Sequence, residues 1–259
     1  MLYQLVSACV AALLFKGAYA IIGGSSIKDP NPYIVSLQAA GIFGDTHICG
    51  GSIIAGRTVF TTAHCVDGSS ASSLVVKHGG SDRNNLRYRI QVNKAIIHPD
   101  WNPNTIDNDY AILQLLDEVR DSEGFPITEF PTLPTDSAVN GTTLNISGWG
   151  KTSASDNTLP VTIEGASVDA LDAASCQPKW QDVNAITTSM ACAQSTESSF
   201  CTADEGGPVT DASGSILYGV LSWGAQNFGE RVCVSDTTSR PNVYADTSEK
   251  RAWLQANIM

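Results

Sequence analysis

The chain has 259 residues, 26 of them acidic and 15 basic, and its net charge at pH 7 is −11. This length suits one large all-β unit or two small domains. Negative charge repels nucleic acid and anionic membrane surfaces, so we expect neither as a partner. We expect a monomer that needs no metal and no cofactor.

Residues 1–20 are predicted to be a signal peptide. Leu2 to Phe15 is mostly apolar, and the stretch ends near Ala18-Tyr19-Ala20, a pattern that signal peptidase cleaves. The alternative, a membrane anchor, needs a longer apolar run. Cleavage would remove Cys9 and leave six cysteines, an even number that fits three disulfides in an oxidising compartment. It would also remove Lys16 and change the net charge from −11 to about −12. The mature protein is therefore predicted to be secreted and extracellular.

Short strands separated by turns are predicted along the first half of the chain. They are rich in β-branched residues and cover 33–40, 52–60, 74–77, 88–92 and 94–97. The segments that carry candidate functional side chains are His47 to Ser52, Thr61 to Cys65, and Asp107 to Leu113. Asp107 itself is predicted to be a solvated loop acid.

The second half carries other landmarks. Residues 119–135 are rich in proline, threonine and acidic residues and are predicted to link two barrels. Residues 247–258 lack glycine and proline and are predicted to form a C-terminal helix. Between them lie Gly148-Trp149-Gly150, the stretch from Cys201 to Pro208, and Ser222-Trp223-Gly224.

The stretch from Cys201 to Pro208, Cys-Thr-Ala-Asp-Glu-Gly-Gly-Pro, resembles the nucleophile loop of trypsin-like serine proteases, Cys-x-Gly-Asp-Ser-Gly-Gly-Pro. Six of its eight positions fit. The exceptions are Ala203, where the family has glycine, and Glu205, where it has the nucleophilic serine. The other landmarks occur in the family's order over residues 21–259. The resemblance implies an all-β fold of two six-stranded antiparallel β-barrels, about 21–125 and about 126–259, with a cleft between them and a C-terminal helix.

The resemblance assigns catalytic positions to four residues. His64 would be the base, Asp109 would orient it, Glu205 holds the nucleophile position, and Ala203 holds the oxyanion-hole position. A carboxylate is no nucleophile for an amide, and losing the nucleophile of a related triad lowers kcat by about 10⁶. We expect an ion pair between His64 and Glu205 that raises the pKa of His64, and we expect the methyl group of Ala203 to tilt its peptide.

The resemblance also assigns supporting positions. The mature chain would start at Ile21, whose freed amino group would pair with Asp204. The strand that holds a substrate backbone would be Ser222-Trp223-Gly224. The disulfides would be Cys49–Cys65, Cys176–Cys192 and Cys201–Cys233. Ser199, Phe200 and Asn242 fall in the specificity pocket, which we expect to be narrowed or shut.

These features predict an inactive, secreted protease homologue that acts by binding protein. It resembles the inactivated serine protease paralogues of the scabies mite, relatives of the group 3 mite allergens. That resemblance implies inhibition of host complement. Two alternatives stay open: a serine-type endopeptidase of weak or altered activity, and a decoy for protease inhibitors or substrates.

Other residues have candidate roles outside the cleft. The segment from Gly224 to Arg240, with Phe228 and Arg231, is either a binding surface or a tolerated surface insertion. Asn140 and Asn145 begin Asn-x-Ser/Thr sequons, and Asn140 is the favoured glycan acceptor because Asn145 begins a strand-like run. The remaining histidines show no metal-ligand spacing and are His47, His78 and His98.

Overall fold

The computed structural model describes residues 21–153, 155, 157–225 and 233–259. The predicted signal peptide, residues 1–20, lies outside the described residues. Strands dominate the described part, and the first of them is β1, Ser25–Ser26. No helix in these ranges is long and apolar enough to cross a membrane.

Six strands close into the first barrel. They are β2 (Ile34–Ala39), β3 (Thr46–Ala55), β4 (Thr58–Thr61), β5 (Leu74–His78), β6 (Tyr88–Ile97) and β7 (Ala111–Leu115). Their order around the barrel is β2-β3-β4-β7-β6-β5, and every pairing is antiparallel. The barrel interior is filled by aliphatic side chains that include Val35, Leu37, Ile53, Val59 and Leu113.

Two predicted strand boundaries in this barrel are wrong. The predicted strand 52–60 contains the end of β3, a turn at Gly56-Arg57, and most of β4. The apolar residues continue up to both sides of this turn, so the pattern hides the reversal. The two predicted strands 88–92 and 94–97 are one strand, β6, whose register shifts between Val92 and Lys94. A β-bulge of this kind breaks the alternation without ending the strand.

Six further strands form the second barrel. They are β8 (Thr143–Gly148), β9 (Glu164–Leu171), β10 (Met190–Gln194), β11 (Pro208–Thr210), β12 (Leu217–Trp223) and β13 (Asn242–Asp246). The ring β8-β9-β10-β13-β12-β11 closes because β11 pairs with β8. Strand β1 pairs with β9 on this barrel, although it precedes the first barrel in the chain. The predicted fold class of two six-stranded antiparallel barrels is confirmed.

The described helices are short. A 3-10 turn covers Ala71–Ser73, and helix α1 covers Ala173–Trp180, with the Asp172 carboxylate accepting from the Ser175 N–H at 2.7 Å as an N-cap. The C-terminal helix α2 covers Arg251–Ala256 and is shorter than the predicted 247–258. The hydroxyl of Thr247 donates to the Leu217 carbonyl at 2.7 Å, which ties the preceding turn to β12.

Three disulfides join the cysteine pairs that the resemblance implies. They are Cys49–Cys65 in the first barrel and Cys176–Cys192 and Cys201–Cys233 in the second. Disulfides persist in oxidising compartments, so their presence agrees with the predicted secretion.

The loop before β7 is fastened to the second barrel. The Asp107 carboxylate accepts hydrogen bonds from the hydroxyls of Thr187 and Ser189, both at 2.6 Å. The hydroxyl of Tyr110 donates to the carbonyls of Ser189 and Asp246 at 2.5 and 2.8 Å. The prediction that Asp107 is a solvated loop acid is therefore wrong. These bonds fix Asp109, which lies between Asp107 and Tyr110.

The two sequons differ in exposure. Asn140 is exposed in the turn before β8, whereas Asn145 lies half-buried within β8. The Asn145 amide donates to the Ala212 carbonyl at 3.4 Å and accepts from the Ser167 hydroxyl at 3.0 Å. Glycosylation at Asn140 stays a prediction, and the exposure of this residue favours it.

Candidate active site

His64 and Asp109 form a buried, closely bonded pair. The His64 Nδ1 atom lies 2.7 Å from the Asp109 Oδ2 atom, and the His64 backbone N–H donates to Oδ1 at 2.9 Å. The Ser222 hydroxyl donates to the same Oδ2 at 2.5 Å. Asp109 is 2% exposed and the His64 side chain 28%. The structure thus gives the imidazole a fixed orientation, with Nε2 on the side away from Asp109.

Electrostatics keep His64 protonated. Burial alone would lower the pKa of His64, but the charge of Asp109 and its hydrogen bond raise it to about 9, with a further contribution from Glu205. The predicted direction of this pKa shift agrees with the structure. The main cause is Asp109, however, and not Glu205.

The loop from Cys201 to Gly207 has a glycine-like backbone at a residue that is not glycine. Ala203 has φ of 76° and Gly206 has φ of 80°. The left-handed region costs an L-residue about 1–2 kcal/mol, so Ala203 is strained where glycine would not be. Its N–H and its carbonyl, which belong to successive peptide groups, both form hydrogen bonds. A tilt of the peptide by the methyl group stays a prediction.

Glu205 turns back on its own loop. Its Oε2 atom accepts a hydrogen bond from the Ala203 backbone N–H at 2.6 Å, and its side chain is 94% buried. Its backbone carbonyl accepts from the Gly50 N–H at 2.7 Å. Among the described residues, no direct ion pair joins Glu205 to His64. The predicted ion pair is wrong: the Glu205 carboxylate accepts from the Ala203 backbone N–H, and His64 acts on it only through its charge.

The surroundings of Glu205 shift the pKa of its carboxyl group in both directions. Burial raises the pKa of Glu205, and the charge of His64 lowers it, as do the backbone N–H groups of Glu205 itself and of Ala203. Asp109 repels it and adds to the upward shift. The carboxylate thus sits at the N–H groups that the resemblance assigns to the oxyanion hole.

His47 supports the other side of the Ala203 peptide. Its Nε2 lies 2.9 Å from the Ala203 carbonyl oxygen, and its Nδ1 lies 2.7 Å from the Ser36 hydroxyl. Burial lowers the pKa of His47 to about 4, so the ring is neutral, donates from Nε2 and accepts at Nδ1. This role of the His47 side chain was not predicted from the sequence. The nearby Cys49 was the signal that its segment reaches the site.

Asp204 is fully buried beneath the loop. Its Oδ1 accepts from the Gly150 N–H at 2.7 Å and its Oδ2 from the Cys201 N–H at 3.0 Å. Burial raises the pKa of Asp204 well above its usual value, these bonds lower it, and the charge of Glu205 raises it further. A Cβ at position 150 would lie 2.4 Å from the Asp204 carboxyl carbon, so this landmark must be glycine. The pairing of Asp204 with a freed Ile21 amino group stays a prediction.

The pocket residues close on one another. The Ser199 hydroxyl donates to the Asn242 side-chain oxygen at 3.1 Å and to the Phe200 carbonyl at 2.9 Å. Phe200 is fully buried in an apolar cluster with Ile21 and Tyr244. The Ile22 and Ser199 backbones exchange hydrogen bonds of 2.9 and 3.1 Å. These contacts bring Ser199 and Asn242 together, and the narrowing or closure of the pocket stays a prediction.

The predicted substrate strand lies beside the site. Ser222 and Trp223 end β12, and Gly224 follows directly. Trp223 is fully buried and packs edge-on against Trp180, with ring centroids 4.8 Å apart. Ser222 therefore contributes through its hydroxyl to Asp109, a role that the sequence did not reveal.

Only part of the candidate binding segment is described. Phe228 and Arg231 lie outside the described residues. Arg240 donates to both carboxylate oxygens of Asp182 at 2.8 Å, and its guanidinium lies 5.2 Å from the centre of the Trp180 ring. Arg240 therefore anchors the end of the segment to the loop after α1.

One group of potential metal ligands occurs among the described residues. Ligand atoms of Cys49, His64 and Cys65 all lie within 4.8 Å of one another. Both sulfurs belong to one disulfide, and a metal needs thiolates. These residues therefore do not fit a metal site.

Sequence comparisons agree with this architecture. A sequence model of the trypsin family matches residues 21–254. The chain is 32% identical to trypsin beta of Drosophila erecta over 240 residues, covering 92% of this chain and 88% of that protein. The chain belongs to the trypsin family. Its other relatives include trypsin theta of Drosophila melanogaster, 33% identical over 237 residues (90% and 84% covered), and trypsin Blo t 3 of Blomia tropicalis, 32% identical over 241 residues (91% and 85% covered).

Trypsin-family membership confirms the protease resemblance at the level of the family. The relatives are named as trypsins, so the finer resemblance to inactivated mite paralogues stays a prediction. At position 205 the residue is a glutamate, and the site around it has the geometry described above.

The histidine pKa values predict how stability depends on pH. His64 has a folded pKa of about 9, above its unfolded value, so its contribution is complete below about pH 6.5 and is lost as pH rises through 9. His47 and His78 are buried in the neutral form and have folded pKa values of about 4. Their contribution to the free energy of unfolding is therefore complete above about pH 6.5 and is lost as pH falls towards 4. In urea unfolding across this range, the free energy of unfolding of His64→Gln should approach that of wild type as pH rises to 9. In the matched control, His78→Phe, the loss of stability that wild type shows at acid pH should be smaller. A constant difference between His64→Gln and wild type would contradict the assignment.

The strain at Ala203 predicts a stabilising substitution. Ala203→Gly should release about 1–2 kcal/mol of strain and cost about 0.4–1 kcal/mol of unfolded-state entropy. We expect the free energy of unfolding to rise by roughly 0.5–1 kcal/mol. Ala193→Gly, at a buried strand residue without positive φ, should lower it. A loss of stability in Ala203→Gly would show that the residue is not strained.

Proposed function

We propose that this protein is a secreted trypsin-family member that binds a protein partner and does not carry out acyl transfer. The observation that carries the proposal is the 2.6 Å hydrogen bond from the Ala203 N–H to the Glu205 carboxylate. A serine protease uses this N–H to stabilise the negative oxygen that develops in the transition state. Here a negative side chain already occupies it.

Neither Glu205 nor His64 supplies the nucleophilic attack that acyl transfer needs. Acyl transfer needs a hydroxyl beside the imidazole, and residue 205 supplies a carboxylate. Attack by that carboxylate on a peptide would form a mixed anhydride and expel an amide nitrogen, which is uphill. His64, with a pKa of about 9, is protonated at neutral pH and cannot act there as a general base.

A second candidate function is a serine-type endopeptidase of weak or altered activity. The names of the relatives favour it, and so does the intact His64–Asp109 pair. A hydrolytic step through water would require Glu205 to leave the Ala203 N–H and His64 to lose its proton. Both changes oppose the contacts that hold these side chains.

A decoy for protease inhibitors or substrates is the third candidate. Such a decoy would need an open specificity pocket and an empty oxyanion hole. The Ser199–Asn242 hydrogen bond and the Glu205 carboxylate weigh against both conditions. Binding through a surface outside the cleft is therefore the form of the proposal that we favour.

The partner class follows from the resemblance and the charge. We propose a host or other secreted protein, with complement components as the class that the mite resemblance implies. The net charge of −11 favours neither nucleic acid nor an anionic membrane. We also propose that the protein acts as a monomer and without a cofactor.

Restoring a serine tests the proposal at the site. Wild type should not be labelled by an active-site fluorophosphonate and should not turn over peptide substrates. Glu205→Ser should be labelled faster as pH rises towards 9, because His64 must lose its proton before it can activate the new hydroxyl. The matched control, Glu205→Ser with His64→Ala, should lose the labelling. We expect Glu205→Ser to cleave peptides poorly, since we propose that Ser199, Phe200 and Asn242 narrow the pocket in this variant as well.

The outcomes separate the candidate functions. Turnover by purified wild type that a serine-directed reagent abolishes would overturn the proposal, because residue 205 would not be the relevant nucleophile position. Turnover that such reagents leave unchanged would favour the weak enzyme. Tight binding of a standard peptide-like protease inhibitor to wild type would favour the decoy.

The partner proposal has a separate test. Purified protein should reduce complement-dependent lysis of antibody-coated erythrocytes in a dose-dependent way. The double variant Phe228→Ala/Arg231→Ala should lose this effect if the segment from Gly224 to Arg240 is the binding surface. Asp117→Ala, at an exposed residue elsewhere, is the control and should retain it. No inhibition by wild type would contradict a complement partner, and equal inhibition by both variants would contradict this surface.

A further inference from the structure

The loop from Cys201 to Gly207 is held at Ala203 by hydrogen bonds to the peptide groups on both sides of this residue. The Ala203 carbonyl binds the neutral His47 ring at 2.9 Å, and the Ala203 N–H binds the Glu205 carboxylate at 2.6 Å. Ala203 keeps a φ of 76° that a non-glycine residue adopts only when its surroundings impose it. The Glu205 contact is thus one of several that hold a strained residue in place, together with the bond from the Lys151 N–H to the Thr202 carbonyl at 2.8 Å.

The position that the carboxylate fills is an anion site. The Ala203 N–H donates to the Glu205 carboxylate at 2.6 Å, and the charge of His64 lowers the pKa of Glu205 and so favours its ionised form. Asp109 and Asp204 face the same region and repel a negative charge there. Ala203 and Glu205 are 8% and 6% exposed, so the hydrogen bond between them is largely shielded from solvent.

We propose that the Glu205 carboxylate is a permanent internal ligand of this N–H site. It holds the loop from Cys201 to Gly207 in shape and excludes carbonyl and carboxylate groups from outside. The inference goes beyond the proposed function, because it assigns Glu205 a positioning role that holds whatever partner the protein binds.

A carboxylate suits this role better than a neutral group. Hydrogen bonds to an ionised acceptor are shorter and roughly twice as strong as neutral ones. Without an acceptor, the buried Ala203 N–H would lose its partner, and the strained backbone would lose one of the hydrogen bonds that restrain it. The loop should therefore open locally when the carboxylate is removed.

Amide hydrogen exchange at Ala203 measures this directly. Glu205→Gln keeps the shape of the side chain without the charge, and Glu205→Gly removes the acceptor. We expect the Ala203 N–H to exchange about 10-fold faster in Glu205→Gln and up to about 100-fold faster in Glu205→Gly than in wild type. Amides in the first barrel, such as that of Leu113, should be unchanged and serve as the internal control.

Added acetate provides the second readout. In Glu205→Gly, sodium acetate should slow exchange at Ala203 and raise Tm more than sodium chloride at the same ionic strength, because acetate can occupy the vacated site. Wild type should show no difference between the two salts. If Glu205→Gly folds only in acetate, the inference is supported. If it folds in neither salt, the comparison of Glu205→Gln with wild type decides.

Two results would overturn the inference. One is equal Ala203 exchange in wild type and Glu205→Gln, together with no loss of protection in any folded Glu205→Gly protein. The other is an acetate response in wild type equal to that of Glu205→Gly, which would show that the site is open. Peptide hydrolysis is measured separately, so a failure of the proposed function leaves these readouts distinct.

Discussion

The hydrogen bond between the Ala203 N–H and the Glu205 carboxylate determines the character of this site. It places a negative charge 2.6 Å from a backbone donor inside the protein. That charge helps to keep His64 protonated and raises the pKa of Asp204. One side chain therefore changes the electrostatics of its neighbours, while the barrels around it keep the trypsin-family arrangement.

The scaffold tolerates several buried acids because each has donors. Asp109 receives hydrogen bonds from His64 and Ser222, and Asp204 receives them from two backbone N–H groups. A buried charge without such partners would cost several kcal/mol. Glu205 adds a third acid, and it could do so only where unsatisfied donors were already present. The oxyanion-hole position supplies such donors, which explains why the side chain turns inward.

The sequence predicts the fold and the His64–Asp109 pair well, because glycines, cysteines and short motifs occur in a fixed order. It fails where two nearby groups compete. The Glu205 side chain could bind His64 or the Ala203 N–H, and the choice depends on rotamer and distance, which no residue pattern encodes. Asp107 was misassigned for a similar reason, since its partners Thr187 and Ser189 lie about eighty residues further along the chain. The turn at Gly56-Arg57 was hidden by the apolar residues that flank it.

Preorganisation has opposite consequences for catalysis and for binding. An enzyme accelerates a reaction only with donors that bind the transition state better than the ground state. The Ala203 N–H already donates to Glu205 in the resting protein. While this bond persists, the N–H does not stabilise a developing oxyanion. The same bond fixes the Ala203 peptide and the loop around it. A rigid loop loses little entropy when a partner binds nearby. This difference supports our proposal of a binding protein over that of an enzyme.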